Sequence, residues 1–194
     1  MNAEQLEDLH KLVWRFRQLA QPDYPTPNPV DSLYYAFTEA GEAIDAMLRK
    51  KRPNDKRNNR RNLDPLDEWA DCAFMVLTAL SWYRGSECRG IYEPVTFPVT
   101  VEFLCTRLAG HLYPDPQYAL DNDPEDALDN HDLALTVALI ARLPGIDLTE
   151  RVRGRLTRIV YRHIPAWRWE KFADILPGIR PFCVELGDED ENGF

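Results

Sequence analysis

The residues of this chain best suited to chemistry are two short acidic motifs. Glu39-Ala-Gly-Glu42 and Glu68-Trp-Ala-Asp71 each set two carboxylates three positions apart, a spacing that puts both on one face of a helix. Spacing alone decides nothing. Acids make up 32 of 194 residues, so roughly five such pairs arise by chance in a chain this long, and the bland account of Glu39/Glu42 alone is a solvated face. Context changes the balance for the second pair. From Trp69 to Trp82 the only charged residue is Asp71. At helical phase Leu66, Ala70, Ala73, Leu77 and Leu80 form one face, and Cys72, Met75, Ala79 and Trp82 cover the other. A helix apolar nearly all round is a buried one. An Asp inside it is costly unless paired or metal-bound, and its own helix offers no partner. Glu39 and Glu42 are flanked by Ala36, Ala43 and Ala46, small enough for close approach. If the two helices pack antiparallel, four carboxylates converge. Hard divalent cations, which take oxygen ligands, are the economical resolution.

These motifs need helices to position them. Residues 3–20 carry Leu6, Leu9, Val13, Phe16 and Ala20 on one face, with Asn2 as N-cap and Gln5 three residues later. Gln21–Pro29 holds four prolines and reads as a loop. A second helix is expected from Asp31 to about Arg49, with a stripe of Leu33, Phe37, Ala40, Ile44 and Met47/Leu48. Asp64-Pro65 announces a third, Asp as N-cap and Pro at the first helical position, reaching Tyr83. Prolines in 91–101 disfavour a strand. Further helices are expected at about 98–112, 124–142 and 147–163, with a short one near 168–176. The fold class is all-α. One domain spans 1–184, with a metal-site core at about 3–84 and a continuation over 98–176. Residues 185–194 (ELGDEDENGF) form an acidic, flexible tail.

The pattern E-x-x-E, a gap of 25 residues, then E-x-x-D resembles the all-α nucleoside triphosphate pyrophosphohydrolases of the MazG-like superfamily. Asp31-Ser32-Leu33 leading into the second helix, and Glu68-Trp-Ala-Asp-Cys-Ala-Phe-Met running into an apolar one, are similar too. The resemblance covers about residues 3–84, with a possible continuation at 147–163. It implies a MazG-like helical bundle with additional C-terminal helices. Glu39, Glu42, Glu68 and Asp71 would be both the metal ligands and the catalytic residues, binding Mg²⁺ (or Mn²⁺), two or more ions per site. The ions would hold a (d)NTP, polarise its α-phosphoryl group and activate water, releasing a (d)NMP and pyrophosphate. Deoxynucleotide pool control is the implied role, and a homodimer or homotetramer the implied assembly. One departure is Thr38, where many members carry a second Glu proposed as the base. No base is assigned by the resemblance here, and the preferred nucleobase stays open.

Cations are concentrated in two places. Arg151, Arg155, Arg158 and Arg162 form a stripe beside Val152, Leu156 and Ile159. The resemblance makes Arg155, Arg158 and Arg162 candidates for substrate phosphate, against a solvated face paired with surplus acids. Residues 49–62 hold eight Lys/Arg in fourteen positions and read as a solvated connector, or as a flap over a triphosphate. Trp14, Tyr24, Trp82, Trp167 and Trp169 could stack on a base, but at helical spacing core is the commoner role. His10, His111, His131 and His163 lack ligand spacing. Residues 121–132 put acids at five positions of a calcium-loop template, but Asp126 stands where Gly is needed and Pro124 sits inside; an acidic turn is expected.

Composition bounds the rest. A net charge of −9 argues against a nucleic-acid polymer as partner. No run of 18 apolar residues could span a membrane. The acidic start of the chain is not a signal peptide, and four dispersed cysteines read as reduced thiols in a cytoplasmic protein. The alternative to an enzyme is a helical interaction or oligomerisation module whose acidic cluster pairs with the basic loop or a partner chain.

Overall fold

A computed structural model describes residues 1–50, 64–92, 95–97, 99–112 and 130–179. The basic segment beyond residue 50, most of the 121–132 turn, the acidic tail and Cys183 lie outside the described residues. All regular structure described is helical: α1 (Ala3–Ala20), α2 (Pro29–Lys50), α3 (Pro65–Arg84), α4 (Val101–Leu112), α5 (Asn130–Ile140), α6 (Leu148–His163) and a 3-10 turn, Ala166–Phe172. No helix among the described residues is long and apolar enough to cross a membrane.

The helix starts follow from side-chain capping. Asn2 accepts from the Gln5 amide while Gln5 reaches back to the Asn2 amide, a complete capping box. Asp64 accepts from the Leu66 amide ahead of Pro65, and Asp147 from the Glu150 amide, so each satisfies a donor the helix leaves free. Helix α3 is the centre of the bundle. It is buried without interruption from Glu68 to Leu80, and α1, α2, α5 and α6 all pack against it. The α1 stripe of Leu6, Leu9, Val13, Phe16 and Ala20 is buried as its spacing requires, Phe16 lying edge-on to Phe74. Burying each large apolar side chain contributes about 1.5–3 kcal/mol.

Helix α2 differs from expectation in which face it buries. Leu33, Ala36, Ala40, Ala43 and Ala46 are buried, whereas Phe37 is 47% and Leu48 50% exposed and Ile44 is only partly covered. Close packing against α3 decided this: a row of alanines admits the neighbouring helix where Phe37 would hold it away. Trp82 Nε1 donates to Pro27 O at 2.6 Å, while Glu68 lies beside Glu39 and Glu42. The end of α3 therefore meets the start of α2, and the two run antiparallel. Helix α4 begins at Val101, later than expected, and the last element is a 3-10 turn starting at Ala166; helix α5 is described from Asn130, and its expected start near 124 lies outside the described residues. Arg168 ties that turn to α1, pairing with Asp23 and donating to Leu19 O and Gln21 O.

Candidate metal centre

Antiparallel packing brings the two acidic motifs to one seam. Carboxylate oxygens of Glu39, Glu42 and Glu68 all lie within 4.8 Å of one another. Glu68 is only 7% exposed, Glu39 is half-buried and Glu42 faces solvent. Three carboxylates this close are expensive to ionise together. Burial, then the Asp71 charge, then a hydrogen bond with Glu68 push the Glu39 carboxyl up to about 7. Burial also raises Glu68, although the hydrogen bond from Glu39 works the other way. A divalent cation bound between them would relieve this repulsion. An oxygen-only donor set at the edge of a buried seam fits such an ion.

Asp71 stands apart from this triad. It is 7% exposed, and its Oδ2 is 3.2 Å from Arg155 Nη1 on α6. The partner absent from its own helix comes from another one, so the buried acid has a protein-based counter-charge as well as a possible metal. Burial still outweighs Arg155 and holds the Asp71 carboxyl at about 6. Of the arginine stripe, Arg155 reaches the site directly. Arg158 stands close enough to favour the Asp71 charge. Arg162 is exposed and forms no ion pair among the described residues. Arg151 binds Asp64 at 3.0 Å and also Asp67, fastening α6 to the start of α3 rather than facing the triad. Thr38 donates to Tyr34 O at 3.0 Å, so its hydroxyl is engaged with its own helix.

The aromatic candidates scatter. Trp167 is exposed, Trp169 donates to Ile164 O, and Tyr24 packs on His163. Trp14 and Trp82 line a cavity of about 380 Å³ with Arg17, Gln18 and Gln21. His10 is fully buried between Tyr92 OH and Gly85 O, 3.0 Å from each, a structural contact.

Sequence reasoning missed Arg17. It is 2% exposed, its Nε and Nη2 donate to Thr78 Oγ1 at 3.1 and 2.9 Å, and its guanidinium lies 4.4 Å from the Phe74 ring centre. The signal was available: position 17 falls four residues after Val13 on the buried face of α1. A charged residue at a core phase is costly unless something needs it. Comparison with protein-family models, with curated proteins and with solved structures returns no match. The likeness to MazG-like enzymes therefore rests on the motif residues.

Proposed function

We propose that this protein is a Mg²⁺-dependent nucleoside triphosphate pyrophosphohydrolase, converting a (d)NTP and water to a (d)NMP and pyrophosphate. The observation that carries this reading is the convergence of Glu39, Glu42 and Glu68 at one seam that runs from solvent at Glu42 to the buried Glu68, with Asp71 and Arg155 beside them. Divalent cations bound there supply neutralisation of the triphosphate and polarisation of the α-phosphoryl group. The chain's own residues do the rest. Glu39, Glu42 and Glu68 hold the ions, and Asp71, next to them, completes the negative wall. Arg155 is fixed by Asp71 through Nη1, which aims the rest of its guanidinium for a phosphate oxygen, and Arg158 adds positive charge at the same end. Water adds to the α-phosphorus, the bond to the bridging oxygen breaks, and the pyrophosphate leaves with that oxygen. A homo-oligomer is part of this reading, supported by Tyr34, Tyr35, Phe37 and Leu48, which α2 leaves exposed. Unpaired Cys72, Cys88 and Cys105 suit a reducing cytoplasm.

The decisive assay is pyrophosphate release across a panel of dNTPs and NTPs with Mg²⁺ or Mn²⁺. Glu42→Gln and Asp71→Asn, both folded, are expected to lose it; activity retained in both overturns the assignment. The second reading, a non-catalytic helical module, draws on the Asp71–Arg155 pair, which gives the buried acid a partner within the protein. Melting with Mg²⁺ or Mn²⁺ and a non-hydrolysable dNTP separates the two. Selective binding to the folded state raises the midpoint, and no shift favours the module.

A further inference from the structure

The charge on Arg17 has no counter-charge among the described residues. No carboxylate lies within ion-pair distance of it among the described residues. Its contacts are the neutral Thr78 hydroxyl, the Met75 sulfur at 3.8 Å, the Tyr24 side chain, which also hydrogen-bonds it, and the ring of Phe74. Burial lowers it to about 10, with Tyr24 offsetting part of the effect and nearby Arg155 adding to it, so it stays cationic at neutral pH. Its Nη1 is buried without a hydrogen-bond partner, and so is the Nε of Arg155. Leaving such a donor buried and unsatisfied destabilises the free protein. Two orphaned donors on two neighbouring guanidinium groups call for an acceptor that both can reach.

Their placement identifies its chemistry. Arg155 rests on Asp71, and Arg17 on Met75 and Thr78. Positions 71, 75 and 78 share one face of α3, so the two cations are offset along that face by about 6–10 Å at 1.5 Å per residue. Glu68 lies on the same face, one turn before Asp71. The order along the helix is carboxylate centre, Arg155, Arg17. A chain of phosphoryl groups held at the carboxylate centre would run along this face towards both.

We propose that Arg17 and Arg155 together form a receptor for the phosphate chain of the substrate, with Arg17 contributed by α1. The inference rests on the pyrophosphohydrolase reading for the identity of the substrate, but not for the anion itself. An Arg kept for a ligand is a burden to the free protein, since replacing a buried ion by an apolar residue of similar volume is often neutral or stabilising.

The test is calorimetric titration of the full-length protein with inorganic pyrophosphate in the presence of Mg²⁺. Arg17→Met is expected to fold and to raise Kd about tenfold or more, the loss of one charge-assisted hydrogen bond. Arg155→Met is expected to do the same. Binding by Arg17→Met within twofold of wild type, or no binding by wild type, overturns the inference. If Arg17→Met does not fold, Arg17→Lys decides, because it keeps the charge but lacks the forked nitrogens. A tenfold loss there supports the proposal and an unchanged Kd overturns it. Failure of the functional reading looks different: Arg17-dependent pyrophosphate binding with no release of pyrophosphate from any nucleotide. Catalysis with Arg17-independent binding would overturn this inference alone.

Discussion

Removing one charge from the carboxylate triad should stabilise the metal-free protein and weaken its response to metal. The perturbation is Glu39→Gln, which keeps size and hydrogen-bonding capacity. The folded protein holds the Glu39 proton up to about pH 7, against an ordinary value of 4.5. Between those pH values the folded state binds more protons than the unfolded state. Stability is therefore lost as pH rises through the window, and above pH 7 the full penalty applies. The interval corresponds to roughly 3.4 kcal/mol. Because Glu39 is half-buried, solvent screening reduces that to about 1.5 kcal/mol. For a protein of this size Glu39→Gln should then melt about 3–6 °C above wild type at pH 8 in a chelator. At pH 5 the advantage should vanish. Saturating Mn²⁺ should invert the order, because ligand at a hundredfold its Kd stabilises wild type by about 2.7 kcal/mol and the variant has lost one of three clustered ligands. Differential scanning fluorimetry at two pH values, with and without metal, reads all four cases. If Glu39→Gln is less stable than wild type in chelator at pH 8, or gains as much from Mn²⁺, the triad is not a repulsive, metal-relieved cluster.

Three other outcomes follow from the packing. Burial lowers the His10 imidazole to about 4, so the unfolded state takes up a proton first as pH falls below 6.5. Stability is complete above 6.5 and declines by up to about 3 kcal/mol towards pH 4; His10→Gln should flatten that limb in urea titrations, and an unchanged limb would show that His10 is not its origin. Arg155→Met leaves Asp71 buried and unpaired, and should cost about 2 kcal/mol at pH 8, with Asp71→Asn in the same background restoring much of it; strictly additive losses in chemical denaturation would refute the coupling. Ala40→Leu should cost about 1–3 kcal/mol by wedging α2 from α3, whereas exposed Phe37→Lys should leave monomer stability nearly unchanged and shift the oligomeric state seen in light scattering; the reverse pattern would restore the Phe37 face to the core.

Local signals in the sequence were sufficient for the starts of α1 and α3. Asn2 with Gln5 and Asp64 with Pro65 act within one turn, and a cap needs no knowledge of the rest of the fold. The all-round burial of α3 was legible because a continuous apolar run has no solvent-facing phase to misassign. The buried face of α2 was not. Its two candidate faces, one rich in large apolar residues and one in alanine, differ in how close a neighbour can come, and that neighbour is more than 20 residues away. Size put Phe37 and Leu48 in the stripe, whereas helix separation kept only its Leu33 and Ala40 and added Ala36, Ala43 and Ala46, the small residues that the sequence marked for close approach. The same distance in sequence hid the partner of Asp71. Reading along α3 alone found no cation, and Arg155 arrives from 84 positions later.

That late arrival changes what the acidic seam means. Had Asp71 been wholly unpaired, burial would have left it protonated or dependent on a metal. With Arg155 bound to one oxygen, the pressure for metal falls instead on Glu39, Glu42 and Glu68, which repel each other and have no cation within ion-pair distance among the described residues. The protein thus separates its charges along one face of α3. Surplus negative charge lies at the Glu68 end, surplus positive charge lies past Asp71 at Arg155 and Arg17, and Asp71 is the joint between them. Neither end is neutralised by the other, because the Asp71–Arg155 pair uses only one nitrogen of one arginine. A ligand carrying both signs satisfies this division: metal ions against the carboxylates, joined to an anion that extends towards the arginines. A metal ion alone would answer only one half of the site.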